Sequence, residues 1–268
     1  MKRNPNCKIN LGLHVVERRP DGYHNLETLF VPVPLCDELT IEKADTFSFQ
    51  QEGLALDNAP EDNLCVRAYR MLRADYSQVG DVTMRLRKQI PFGAGLGGGS
   101  SDAACVLKML ADEFSLPCST EDLERYAARL GADCAFFIKG IPAYATGIGD
   151  VLEPIDLDIS GERLVLLKPN DKVTTKEAYG GIVPKKSGVD LRDAVRRPVS
   201  EWRDLIVNDF EASVFPLHPR IAWLKGWLYR QGAHYASMTG SGAAVFALFD
   251  KSTRIDFSEI PPQEILMK

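Results

Sequence analysis

The sequence predicts an α+β protein of two domains, and three observations carry that prediction. Strand-like and helix-like segments follow one another without strict βαβ alternation, which disfavours a doubly wound parallel sheet. The 268 residues exceed the usual size of one hydrophobic core, and the boundary is placed near Asp158, giving domains 1–158 and 159–268. Hydrophobic residues make up 45% and charged residues 26%, the proportions of an ordinary globular chain and not of a disordered, fibrous or membrane one.

Residues 7–16 read as a strand in which Lys8 and Asn10 share one face while Ile9, Leu11 and Leu13 share the other. The turn sequence Arg18-Arg19-Pro20-Asp21-Gly22 leads to a second extended run over 26–33, which Pro32 and Pro34 are expected to end. A third strand is expected over 39–49. Glu61-Asp62-Asn63 opens a helix with Leu64, Ala68, Met71 and Leu72 on one face, where Asp62 or Asn63 can cap the free amides. Over 81–89, Val82, Met84 and Leu86 alternate with Thr83, Arg85 and Arg87, the pattern of a strand with one wet face.

A helix over 101–114 follows, with Ala103, Val106, Leu107, Leu110 and Phe114 at helical spacing. Ser119-Thr120-Glu121-Asp122 resembles a capping box and starts the next helix, which Gly131 can terminate. In the second half an apolar strand is expected over 164–167. Helices are expected from Thr174-Thr175-Lys176-Glu177 and over 190–196, 202–215 and 219–230. The run from Ala236 to Gly242 then leads into a strand over 243–249.

Composition narrows the function classes. A net charge of −5 offers no basic face for nucleic acid. The N-terminal segment keeps Lys8, Asn10 and His14 within its first strand, unlike the apolar core of a signal peptide, and no stretch reaches the roughly 20 apolar residues a bilayer needs. The expected location is the cytoplasm, with no nucleic-acid or membrane partner. Six scattered cysteines contain no close C-x-x-C pair, so they are read as reduced and inert.

The chemistry centres on Gly93-Ala94-Gly95-Leu96-Gly97-Gly98-Gly99-Ser100-Ser101, set between the wet-faced strand and a helix. Glycine lets a backbone approach a ligand closely, and a helix N-terminus offers unpaired amides and roughly +0.5 elementary charge. A phosphate fits there. A flexible linker would not be expected between so amphipathic a strand and so clean a helix. No lysine follows in the Walker A position. Gly93-x-Gly95-x-x-Gly98 does satisfy the dinucleotide fingerprint, but the preceding strand is not apolar throughout and no acid-ended second strand lies about 20 residues on.

From Pro91 and Phe92 through Gly93–Ser101 to Asp102-Ala103-Ala104, the chain resembles the central phosphate motif of the GHMP kinases. Pro5-Asn6-Cys7-Lys8-Ile9-Asn10-Leu11 resembles the P-x-A-K-I-N-L opening, with Cys7 where alanine is usual. Arg19-Pro20-Asp21-Gly22-Tyr23-His24 resembles the R-x-D-G-Y-H stretch of the branch whose acceptor is a cytidine diphosphate sugar-alcohol. Gly131-Ala132-Asp133 and Met238-Thr239-Gly240-Ser241-Gly242-Ala243 match two further family segments. The resemblance spans nearly the whole chain, although 168–202 carries no matched motif.

The resemblance implies a two-domain GHMP kinase fold with its active site in the cleft between an N-terminal and a C-terminal domain. It implies ATP with Mg²⁺ as phosphoryl donor and a cytidine diphosphate sugar-alcohol as acceptor, phosphorylated on its 2-hydroxyl on the non-mevalonate route to isoprenoid precursors. Another alcohol acceptor, such as homoserine, mevalonate or a sugar, is the alternative, and a nucleotide-binding regulator without catalysis is disfavoured by the joint presence of Lys8, Asp133 and the loop. Asp133 is implied as base toward the acceptor hydroxyl. It lies among apolar neighbours, where an ionised carboxylate needs a cation, and Lys8 is the candidate.

Pro91–Ser101 would hold the ATP phosphates, with Ser100 or Ser101 available to Mg²⁺ and no metal site built by the protein alone. Asn63 is either an adenine contact or a plain helix cap. Asn10 would hold substrate or carboxylate, Tyr23 and His24 would grip the cytosine ring, and Tyr179 would form a second wall. A monomer or weak homodimer is expected.

Overall fold

The computed structural model describes residues 1–54 and 60–268. The chain forms two compact units that interleave along the sequence: Met1–Lys8, Pro32–Phe92 and Gly97–Ile141 make one, and Ile9–Val31, Gly93–Leu96 and Pro142–Lys268 the other.

In the first unit the strands Lys2–Arg3, Glu38–Lys43, Val82–Lys88 and Ser48–Gly53 lie side by side in that order. The first two contacts are antiparallel and the last is parallel. Val82, Met84 and Leu86 are buried while Arg85 and Arg87 are exposed, as their alternation predicts. The expected single strand over 39–49 is instead two, because the chain turns at 44–47 so that Ser48–Gly53 can pair parallel to Val82–Lys88.

Beside this sheet the Gly98–Glu113 helix packs against Leu64–Asp75, Thr120–Leu130 and Phe136–Lys139. It is buried around most of its circumference, as a central helix must be. It begins three residues before the expected start at Ser101, because Gly97 in the left-handed region lets Gly98, Gly99 and Ser100 form its first turn. The Thr120–Leu130 helix has the expected capping box between Ser119 and Asp122.

The second unit contains a sheet ordered Tyr235–Met238, Val245–Asp250, Glu162–Leu167, Ile265–Met267, antiparallel throughout. Its apolar face meets the Pro219–Arg230 helix in a core that includes Val165, Leu167, Ile221, Leu224, Trp227, Val245, Ala247 and Phe249. Another sheet places Asn6–Arg18, His24–Cys36, Ala143–Thr146 and Val151–Pro154 in that order.

The His24–Cys36 strand runs through both prolines expected to end it. Pro32 and Pro34 lie beyond Phe30, the last residue paired with Ala143–Thr146, where a missing N–H costs no ladder bond on that side.

The expected 202–215 helix does not form. A short 3₁₀ helix, Val199–Asp204, is followed by an extended stretch bridged to Leu13, then by Glu211–Val214. Asn208 and Asp209 break the run. Asn208 Oδ1 accepts from Phe210 N at 3.0 Å, and Asp209 Oδ2 from Val15 N at 2.9 Å, so both side chains compete with helical bonding. The 190–196 helix shortens to Leu191–Ala194 behind an Asp190 cap.

Candidate active site

Lys8 and Asp133 are 125 positions apart in sequence and meet in the first unit, with Lys8 Nζ 3.4 Å from Asp133 Oδ2. Lys8 is buried, carried inward on the first long strand. Asp133 follows the Thr120–Leu130 helix, and its side chain is 34% exposed. Of its apolar neighbours, Cys134, Ala135, Phe136, Phe137 and Ile138 turn inward, while the carboxylate faces water on one side.

Gly97 sits against the same lysine. A Cβ at Gly97 would lie 3.3 Å from Lys8 Cε and 3.0 Å from the Phe137 ring, and its φ of +69° is strained for any other residue. The first-turn amides of the Gly98–Glu113 helix and the Lys8–Asp133 pair thus flank one glycine. Ser100 is half-buried and Ser101 buried, both within that first turn. Pro91 is half-buried before the loop and Phe92 is 68% exposed. Asn63 caps the Leu64–Asp75 helix, its Oδ1 accepting from Cys65 N at 2.9 Å and its Nδ2 lying 3.4 Å from Gln51 Oε1.

In the second unit Gly93, Ala94, Gly95 and Leu96 run along the Met238–Gly242 turn. Ala94 and Leu96 are buried, and Ala94 O accepts from Ala244 N at 3.2 Å. A Cβ at Gly95 would fall 2.0 Å from Thr239 O. Thr239 ties the turn together: its Oγ1 accepts from Asn10 N at 3.0 Å and lies 3.2 Å from Gly95 O and 3.3 Å from Asn10 Oδ1. The Asn10 amide also donates to Thr28 Oγ1 at 2.9 Å. Asn10 is thus engaged in a buried network that fixes the loop.

Also in the second unit, the His24 ring stacks on Tyr179 with centroids 4.8 Å apart and planes 27° apart, and Phe210 braces Tyr179 edge-on. The spacing of His24 and Tyr179 in sequence gives no hint of this contact. The Thr174–Glu177 capping box holds the short Thr175–Gly180 helix that carries Tyr179. Tyr23 is 62% exposed on a turn pinned by Arg19–Asp21 and by Tyr23 N donating to Asp21 Oδ1 at 3.1 Å.

Sequence reasoning missed a buried charged cluster in the first unit. Lys88 Nζ donates to Asp37 and, at 2.7 Å, to Asp102 Oδ2, with all three side chains almost fully enclosed. Burial acts against the Lys88 charge, but the carboxylates of Asp102 and Asp37 outweigh it and hold its pKa above the ordinary value. Burial pushes Asp102 up to about 7, against the opposing pull of Lys88. Lys88 looked like one more basic residue after Arg85 and Arg87, and only its even position in the alternation signalled an inward side chain.

The cysteines are all free. Burial raises Cys7 to about 12 and Cys105 and Cys134 to about 11, which leaves these thiols protonated and unreactive. Among the described residues, no three His, Cys, Asp or Glu side chains group to hold a metal ion, and no helix is long and apolar enough to cross a membrane.

A glycine-led helix N-terminus beside a lysine–aspartate pair defines a phosphoryl-transfer class of protein, and comparison with known proteins agrees. Residues 63–141 match the GHMP kinases N terminal domain and residues 191–259 the GHMP kinases C terminal model. The chain belongs to the GHMP kinase family and is an ATP-dependent kinase with the family's α+β fold. It is 51% identical over 260 residues to the 4-diphosphocytidyl-2-C-methyl-D-erythritol kinase of Bacteroides fragilis, covering 94% of each chain. It is 49% identical to the enzyme of that name from Parabacteroides distasonis, covering 93% of this chain and 92% of the relative. The crystal structure of a 4-(cytidine 5'-diphospho)-2C-methyl-D-erythritol kinase superposes with a TM-score of 0.81 at 34% identity, over 92% of this chain and 90% of that one. The Methanococcus jannaschii mevalonate kinase, at 12% identity and a TM-score of 0.68 over 94% and 92% of the two chains, shares the fold.

Proposed function

We propose that this kinase transfers the γ-phosphoryl group of ATP to the 2-hydroxyl of 4-diphosphocytidyl-2-C-methyl-D-erythritol, in the methylerythritol phosphate route to isoprenoid precursors. The observation that carries the chemistry is the Lys8–Asp133 pair at 3.4 Å with Gly97 packed against the lysine. Asp133 Oδ2 accepts the hydroxyl proton as the new O–P bond forms and the bond to the β-phosphate oxygen breaks, releasing ADP. Lys8 orients Asp133, and its ammonium offsets charge on the transferring group. The open side of Asp133 leaves room for an incoming hydroxyl.

The amides at the start of the Gly98–Glu113 helix hold phosphate oxygens, and the Pro91–Leu96 approach shapes the loop. The Ser100 or Ser101 hydroxyl would be the protein contact of Mg²⁺ bound with ATP, which would supply charge neutralisation at the phosphates. Asn63 Nδ2, which gives one hydrogen to Gln51 Oε1, has its second to offer adenine. His24, already flat against Tyr179, offers ring nitrogens and a stacking surface to cytosine, with Tyr23 beside it on the turn. Asn10 serves by fixing the loop through Thr239. Domains 1–158 and 159–268, a cytoplasmic location and a monomeric or weakly dimeric state belong to the same reading.

A coupled ADP-release assay over a panel of acceptors tests it. Turnover is expected with the cytidine diphosphate compound and not with homoserine, mevalonate or a sugar. Strong turnover on one of those three, with none on the cytidine compound, overturns the acceptor assignment.

A further inference from the structure

The buried Lys88–Asp37–Asp102 cluster binds together the two ends of the loop that precedes the Gly98–Glu113 helix. Asp37 Oδ1 accepts from Gln89 N at 2.5 Å and Ile90 N at 2.8 Å, so it holds the backbone that leads into Pro91. Its other oxygen takes Lys88 Nζ, which crosses to Asp102 in the second turn of the helix. Gly98 lies between them: a Cβ there would be 2.7 Å from Ile90 Cγ2 and 3.3 Å from Lys88 Nζ. One ammonium therefore fixes the distance between the strand end and the helix N-terminus, and with it the positions of the free amides.

The cluster is over-built for stability alone. A buried ion pair is often no better than apolar packing of the same volume. Here one ammonium is shared by two enclosed carboxylates, and Asp102 Oδ1 has no partner among the described residues. Such an arrangement gains from its rigidity and geometry, which a site that must present several amides to a polyanion requires.

We propose that Lys88, Asp37 and Asp102 are positioning residues for ATP, holding the first-turn amides of the Gly98–Glu113 helix in the register that binds phosphate. The proposal rests on the reading of that turn as the phosphate site. The groups that face Asp102 are Lys88 from the strand, Asp37 from the preceding loop, Cys65 from the Leu64–Asp75 helix, and Cys105 on its own helix.

Steady-state kinetics on the full chain with Mg-ATP and the cytidine diphosphate acceptor test this, alongside thermal melting. Asp102→Leu is expected to raise the KM for ATP about tenfold or more, the value of a charged hydrogen bond, with the acceptor KM unchanged. Asp102→Asn, which keeps an oxygen for Lys88, restores most of the affinity. If Asp102→Leu does not fold, the triple variant Asp37→Asn/Lys88→Met/Asp102→Leu is read instead, because the amide oxygen introduced at position 37 can still accept from the two backbone N–H groups and no buried charge is left unpaired.

A lower melting temperature with the KM for ATP unchanged overturns the proposal, as does an equal rise in both KM values. Gly99→Ala separates it from the reading beneath it, since a methyl there meets only Leu64 Cδ1 at 3.9 Å, so the fold keeps its room while bulk is added within the first turn whose amides are read as the phosphate site. An unchanged KM for ATP in Gly99→Ala refutes the phosphate site itself. A raised KM in Gly99→Ala beside an unchanged one in Asp102→Leu refutes only the positioning role.

Discussion

Gly95→Ala is the substitution whose cost follows most directly from the geometry. The residue has φ of +75°, which an L-residue adopts at a cost of about 1–2 kcal/mol. The new Cβ would also lie 2.0 Å from Thr239 O, a backbone atom that cannot swing aside. Thr239 is held by its N–H to Ala244 O and by Gly242 N to its own carbonyl, each at 3.0 Å, and its hydroxyl holds Asn10 N. Relieving the overlap breaks at least one of these buried bonds, for about 1–3 kcal/mol more. The total is about 2–5 kcal/mol. Gly93→Ala is the control, with φ of +63° and nothing within 4 Å of the added Cβ, so it carries the backbone term alone. Urea unfolding followed by circular dichroism should place the Gly95→Ala midpoint clearly below that of Gly93→Ala. Equal midpoints would refute the claim that packing on Thr239 is what demands glycine.

Other outcomes follow from the same structure. The Asp102 carboxyl is raised from 3.8 to about 7, so the folded state binds its proton where the unfolded state does not. Its stabilising contribution is full at low pH and is lost as pH rises from about 4 to about 7, by up to about 4 kcal/mol. Wild type minus Asp102→Asn unfolding free energies across that range should fall with pH; a flat difference contradicts the assignment. His24→Ala removes the ring stacked on Tyr179 and should raise the acceptor KM by about 2- to 10-fold with the KM for ATP unmoved, and a change in the ATP value alone would discard the cytosine role. Lys8→Met, which leaves Asp133 without its cation, should lower kcat by about 100-fold or more while melting stays near wild type, since the carboxylate keeps access to water.

What could be read from the chain was whatever its local pattern already contained. The alternation of Val82, Met84 and Leu86 gave a strand, and Ser119–Asp122 and Thr174–Glu177 gave two capping boxes, because each depends on residues a few positions apart. The placement of the glycine run between a strand and a helix is what points to a phosphate there, and the helix start at Gly98 is the part of that pattern the structure contains. Lys8 and Asp133 were joined by family resemblance, and their 3.4 Å separation is a tertiary fact that no spacing contains. Tertiary context also overrode local reasoning. Asn208, read as part of a helix, instead sends its Nδ2 to Met238 O and Gly240 O at 2.8 and 2.9 Å, supporting the turn under Gly95. Lys88 carried no visible sign of Asp37 and Asp102, which lie 51 and 14 positions away. His14, His218 and His234 each face a carboxylate far away in sequence: Asp209, Asp171 and Glu162.

The central claim is that Asp133, oriented by Lys8, takes the acceptor's proton. Single-turnover and steady-state ADP release by Asp133→Asn, with 4-diphosphocytidyl-2-C-methyl-D-erythritol and Mg-ATP, tests it most directly. A folded variant that binds both substrates with near wild-type affinity, yet turns over about 100- to 10,000-fold more slowly, is the result predicted for loss of a general base. Turnover within a few-fold of wild type would contradict it and remove Asp133 from the chemical step.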